Sequence, residues 1–170
     1  MNRKKSLPCL LAALLLTGLT AAGAANVTDE CNPSNQQNME KLELTSEWDK
    51  VFPQSDKVNH SKVTFQNRYG ITLAADLYVP KQAVGKLAAI AVSGPFGAVK
   101  EQSSGLYAQM LAERGFLTIA FDPSFTGESG GQPRYVASPD INTEDFCAAV
   151  DYLSTRDDVD PDRISILGIC

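Results

Sequence analysis

Ile164-Ser165-Ile166-Leu167-Gly168-Ile169-Cys170 is the stretch whose reading decides the fold. A short apolar run closed by glycine reads as a buried strand. Glycine at 168 permits a tight turn, and two residues later comes a thiol, so the strand would deliver Cys170 to the carboxyl edge of a sheet. A buried structural cysteine is the plain alternative, because cysteine is among the residues most often found inside. What precedes the stretch weighs between the two.

Immediately upstream, Asp160-Pro161-Asp162-Arg163 predicts a turn into that strand. Before it, a helix is expected from Asn142, whose side chain can cap it together with Asp145; Phe146, Ala149, Val150 and Leu153 would face inward. Phe116-Leu117-Thr118-Ile119-Ala120-Phe121 reads as a strand. A helix over about 104–114 would bury Leu106, Tyr107, Met110 and Leu111 and stop at Gly115. Leu87-Ala88-Ala89-Ile90-Ala91-Val92 is a further apolar strand. Continuous apolar strands separated by helices are the pattern of a parallel sheet covered on both faces. Ahead of them, Lys62-Val63-Thr64-Phe65 and the alternating run Thr72-Leu73-Ala74-Ala75-Asp76-Leu77-Tyr78-Val79 flank Asn67-Arg68-Tyr69-Gly70 and predict an antiparallel hairpin ended by Pro80. The fold class is therefore α/β: a β-hairpin followed by parallel strands alternating with helices.

Two loops at the expected carboxyl edge carry candidate chemistry. Ser93-Gly94-Pro95-Phe96-Gly97-Ala98 follows the first parallel strand. A loop in that place can offer a backbone N–H to an oxyanion formed at the facing thiol, and because Pro95 has no N–H, Phe96 is the candidate donor. Read plainly, it is an ordinary Gly/Pro connection. Asp122-Pro123-Ser124-Phe125-Thr126-Gly127-Glu128-Ser129-Gly130-Gly131 follows the second, and Asp122 and Glu128 are expected to hold that loop by hydrogen bonds rather than to take part in catalysis. The chain has a single histidine, His60, expected at the surface, and no Cys-x-x-Cys. Zinc sites of the usual ligand types cannot be assembled from that set, so no metal is expected.

The first residues, Met-Asn-Arg-Lys-Lys, an apolar run over 7–19 and Ala22-Gly23-Ala24, read as a secretory signal peptide over 1–24. The run is too short for a confident membrane span, which needs about 20 residues. Export to the periplasm or medium is expected, with no membrane attachment after cleavage. Removal of Arg3, Lys4 and Lys5 leaves 12 basic against 20 acidic residues, a net charge of −8. No basic stripe remains for nucleic acid. A polar leader over 25–57, with one or two helical turns ended by Pro53, would lead into a domain over 58–170. Cys31, Cys147 and Cys170 outlast cleavage, an odd number in an oxidising compartment, so at least one thiol stays free or pairs with another chain.

Taken together, Trp48-Asp49-Lys50-Val51-Phe52-Pro53, Arg68-Tyr69-Gly70-Ile71-Thr72-Leu73-Ala74-Ala75-Asp76-Leu77-Tyr78, Pro95-Phe96-Gly97 with Lys100-Glu101-Gln102, Gly127-Glu128-Ser129-Gly130-Gly131 and Gly168-Ile169-Cys170 resemble the α/β-hydrolase superfamily. Within it they are similar to the dienelactone hydrolase-like branch with a cysteine nucleophile. The resemblance implies a Cys-His-Asp triad, with Cys170 as nucleophile, acting without cofactor on small acyl substrates: esters, lactones or thioesters. It also marks a departure, because Gly94 stands where relatives carry histidine or glutamate. In that family the acid and the histidine follow the elbow, so a chain with nothing after Cys170 is expected to be an inactive N-terminal half, with Ile164-Ser165-Ile166-Leu167 at an open, association-prone edge. A secreted noncatalytic binding module on the same sheet is the alternative. A nucleotide-binding domain is disfavoured, because neither Gly-x-x-x-x-Gly-Lys-Ser/Thr nor Gly-x-Gly-x-x-Gly follows a strand.

Overall fold

The computed structural model describes residues 40–170. The signal segment, the first part of the leader and Cys31 lie outside the described residues. Five strands and two helices follow one another as β1 (Val58–Gln66), β2 (Thr72–Pro80), β3 (Leu87–Ser93), α1 (Ser103–Ala112), β4 (Leu117–Phe121), α2 (Pro139–Ser154) and β5 (Val159–Gly168). They form one sheet in the order β1-β2-β4-β3-β5. The hairpin β1–β2 is antiparallel and β2 joins β4 antiparallel, whereas β3 lies parallel to both β4 and β5.

Side chains alternate across a strand, and in β4 both faces are buried. Leu117, Ile119 and Phe121 enter one core, shared with Leu73, Ala75 and Leu77 of β2, Ala89 and Ala91 of β3, and Ala148, Ala149 and Leu153 of α2. Ala120 enters the opposite core with Tyr78, Val92, Ala108 and Ala112, under α1. The two helices therefore cover opposite faces, as the unbroken apolar runs of β3 and β4 require.

Several local expectations shift. The large side chains of α1 do not face the sheet: Leu106, Tyr107 and Met110 are exposed, and Ser104, Gly105, Ala108, Gln109 and Ala112 are buried instead. The cause is close approach. A Cβ on Gly105 would lie 2.2 Å from the Lys100 carbonyl oxygen and 3.2 Å from Tyr78 Oη, so no side chain fits at 105; the rest of the buried face is small except for Gln109, whose amide donates to the Pro53 carbonyl at 3.0 Å. Thr118 Oγ1 donates to the Ala108 carbonyl at 2.8 Å across this contact.

Helix α2 starts at Pro139, a residue suited to the first helical position, and not at Asn142, which lies inside it. Asp145 is no cap; its carboxylate accepts Ser124 N–H, Ser124 Oγ–H and Asn67 Nδ2–H, each at 2.8 Å. Phe146 and Val150 are only half-buried. Strand β5 starts at Val159, and Asp160-Pro161-Asp162-Arg163 is an irregularity within it, where the register on β3 shifts between Leu87 and Ala89. It is an edge strand with Ile166 60% exposed. Among the described residues of the leader no helical turn forms. Instead Lys50 and Phe52 are buried, and Val51 N–H donates to the Glu101 carbonyl at 3.1 Å.

Candidate active site

Strands β3 and β5 are parallel neighbours, with Ser93 opposite Gly168, so the two loops that leave them emerge side by side at one edge. Ile169 N–H donates to the Ser93 carbonyl at 3.1 Å and continues the ladder one step into the turn. Cys170 then sits at φ +75°, a left-handed conformation that side chains other than glycine's rarely take. That conformation costs about 1–2 kcal/mol, and the thiol is exposed at the end of the strand.

A cavity of about 230 Å³ opens at this point, lined by Cys170, Phe96, Phe121, Thr126, Asn142 and Phe146 among others. The walls come from the loops after β3, β4 and β5 and from the first turns of α2. Phe96 lies on a turn closed by Ala98 N–H donating to the Pro95 carbonyl at 2.9 Å, with Gly97 at φ +83°. Phe96 N–H donates to no acceptor among the described residues. The structure thus brings Cys170 and the Phe96 loop together. Cys147 is not with them; it is an exposed thiol on α2.

His60 is not at the surface as expected but half-buried on β1, its Nε2 2.8 Å from Asp76 Oδ1 and its ring packed against Trp48 and Tyr78. β1 and β5 are the two edges of a five-stranded sheet. Four inter-strand spacings of about 4.8 Å put roughly 19 Å between them, far beyond hydrogen-bond reach.

Beneath the Phe96 loop lies a charge network that the periodicity of the sequence does not show. Lys100, Asp122 and Asp76 are fully buried. Lys100 Nζ contacts Asp122 Oδ2 at 2.8 Å, Glu128 Oε2 at 2.7 Å and Glu101 Oε1 at 2.6 Å. Lys62 Nζ reaches the same Glu128 oxygen at 2.7 Å and Asp49 at 3.2 Å, and Lys50 bridges Asp49 at 2.7 Å and Asp76 at 3.1 Å.

Burial works against the Lys100 charge, but its three carboxylates outweigh it and raise its pKa. Burial pushes Asp122 up against the pull of Lys100. Glu128 is likewise pushed up by burial, yet hydrogen bonds from Lys100, Lys62 and Thr45 N–H win and hold it down at about 2. Asp49, Glu101 and Glu128 present oxygens within 4.8 Å of one another. The Lys62 ammonium stands among those oxygens, 3.2, 3.7 and 2.7 Å away, where a cation would otherwise go.

Asp122 and Glu128 do hold their loop: Glu128 N–H donates to Asp122 Oδ2 at 3.0 Å and Ser129 Oγ–H to the Asp122 carbonyl at 2.7 Å. Their shared partner is Lys100. The available signal was a lysine and a glutamate, Lys100-Glu101, in an otherwise small and apolar connection between a buried strand and a helix.

A hairpin leading into parallel strands, with helices on both faces and a strained residue at the carboxyl edge, is the arrangement of an α/β-hydrolase. Residues 69–170 match the model of the family described as X-Pro dipeptidyl-peptidase (S15 family), and the chain belongs to that family. It is 62% identical over 160 residues to protein PA2218 of Pseudomonas aeruginosa, an alignment covering 94% of this chain and 42% of that protein. The crystal structure of PA2218 superposes with a TM-score of 0.75 at 71% identity, covering 76% of this chain and 41% of that one. A thiohydrolase, aneE of Aspergillus aculeatus, is 31% identical over 68% of this chain and 35% of its own length. The chain thus spans about two fifths of the length of the relatives it matches.

Proposed function

We propose that the chain carries the nucleophile and part of the oxyanion site of an ester or thioester hydrolase similar to the dienelactone hydrolases, with Cys170 as the nucleophile. The observation that carries the reading is the place of Cys170: φ +75° at the end of β5, in a cavity shared with the Phe96 loop. A general base takes the Sγ proton and the thiolate attacks the acyl carbon. The carbonyl π electrons move onto oxygen, and Phe96 N–H holds the resulting oxyanion. The alcohol or thiol leaves with the proton, and water then hydrolyses the thioester on Cys170. One such donor is worth about 100- to 1000-fold in rate. His60 is the wrong base by position, roughly 19 Å from β5; the resemblance to the dienelactone hydrolases implies a histidine that follows the elbow as the base. The thiohydrolase among the relatives supports a thioester or ester bond as the one cut, and the phenylalanines of the cavity suit an apolar acyl group.

The test is Cys170→Ala in the full-length protein, assayed on a p-nitrophenyl ester and on an acyl thioester, with Cys147→Ala beside it. Turnover is expected to vanish in the first variant and persist in the second. Undiminished turnover in Cys170→Ala refutes the assignment. Absence of any turnover in the unaltered protein favours the noncatalytic binding module. We also place the protein outside the cytoplasm, on the strength of the charged, apolar, Ala-x-Ala order of residues 1–24.

A further inference from the structure

We infer that Lys100 is a positioning residue for the oxyanion loop, holding the stretch 94–99 against the end of β4 through one shared carboxylate. The inference rests on the reading of Cys170 and Phe96 given above and deepens it.

The loop has little else to fix it. Phe96 is 66% exposed, and the local bonds are few: Ala98 N–H to the Pro95 carbonyl, Val99 N–H to Gln102 Oε1 and Gln102 N–H to the Val99 carbonyl. All three lie within the loop and its exit; at its entry Ile169 N–H donates to the Ser93 carbonyl, and just beyond its exit Val51 N–H donates to the Glu101 carbonyl, both at 3.1 Å. The tie to the middle of the sheet comes at residue 100. Lys100 N–H donates to Asp122 Oδ1 at 2.7 Å and Lys100 Nζ donates to Asp122 Oδ2 at 2.8 Å, so both oxygens of one carboxylate are held by one residue. Asp122 follows the last residue of β4, and its own N–H donates to the Ala74 carbonyl at 3.0 Å. A main-chain bond and a side-chain bond to one planar group determine direction as well as distance. The Phe96 turn, four residues earlier, inherits its placement from a strand in the middle of the sheet.

Stability alone does not account for such a device. A buried ion pair contributes little net stability over an apolar pair of the same shape, because desolvation offsets the attraction. Its directional bonds are what an apolar pair cannot supply. The neighbouring backbone is shaped around it: a Cβ on Gly127 would lie 2.2 Å from Asp122 Oδ2, and one on Gly105 would lie 2.2 Å from the Lys100 carbonyl oxygen.

Two probes of the full-length protein separate the oxyanion loop from the thiol. Iodoacetamide alkylates Cys170 by displacement of iodide, forming a C–S bond with no oxyanion. A trifluoromethyl ketone adds the thiolate to its carbonyl carbon and places a negative oxygen where Phe96 N–H would hold it. In Lys100→Met the ketone is expected to bind about 100-fold more weakly, the lower value for one oxyanion donor, with the alkylation rate within a factor of about 3. Asp122→Asn keeps an acceptor for Lys100 N–H and loses the charge. It should fall between the two proteins, and it serves as the test if Lys100→Met shows no cooperative unfolding. Unchanged ketone affinity in both variants overturns the inference, as does a parallel loss of ketone affinity and alkylation. If peptide mapping of the unaltered protein shows no label on Cys170, the reading of the nucleophile fails and takes the inference with it.

Discussion

Gly105→Ala sets two effects of known sign against each other. In an exposed helix the change would stabilise the fold, since alanine exceeds glycine in helix propensity by about 0.8–1.0 kcal/mol. Here the new Cβ would stand 2.2 Å from the Lys100 carbonyl oxygen, 3.1 Å from Phe52 Cζ and 3.2 Å from Tyr78 Oη. An ordinary carbon-to-oxygen approach is about 3.3 Å, so roughly 1 Å must be recovered by moving backbone. The atom in the way belongs to a residue tied at both ends to Asp122, and α1 would have to lift from the core around Tyr78, Ala108 and Ala112. Overpacking of this kind costs about 1–3 kcal/mol, and a clash with backbone belongs at the upper end. Less the propensity gain, the net loss is about 2 kcal/mol, or roughly a 30-fold fall in the folding equilibrium. With a urea slope of about 2 kcal/mol per molar, the midpoint should drop by about 1 M. Equilibrium urea unfolding of the full-length protein, followed by tryptophan fluorescence, measures it. A midpoint equal to or above that of the unaltered protein would refute the reasoning, because propensity would then have prevailed and α1 could not lie as close as described.

Two further outcomes are expected. Glu128 is held at about 2 against 4.5 for a free carboxyl; a group depressed on folding contributes stability that is complete above its unfolded pKa and lost as the pH falls through its folded one. The stability advantage of the unaltered protein over Glu128→Gln should therefore shrink as the pH falls from 4.5 towards 2, and parallel urea midpoints across that window would count against the network. The exported protein should begin near Ala25, as read by intact mass; recovery from the periplasm or medium with residues 1–24 still attached would contradict the signal reading.

Much of the sheet was legible because its signal is local. The apolar runs of β3 and β4 need two covered faces whatever their neighbours are, and Gly168-Ile169-Cys170 after an apolar run marks a turn at a strand end from composition alone. The same holds for Pro95, which leaves Phe96 as the candidate donor. That Cys170 and Phe96 share a cavity depends instead on β3 and β5 being parallel neighbours, a pairing between segments some 70 residues apart. A helix period identifies an apolar face without saying how near neighbouring segments will come; at Gly105 the Lys100 carbonyl and Tyr78 Oη stand so close that no side chain fits, and Leu106, Tyr107 and Met110 face outward instead. His60 looked like a surface residue because its partner, Asp76, is supplied by hairpin register, in which His60 faces Tyr78 and Lys62 faces Asp76. The burial of Lys100 is hidden in the sequence for the same reason: a buried charge is tolerable only when its counter-charges are in place, and besides its neighbour Glu101 these are Asp122 and Glu128, 22 and 28 residues away.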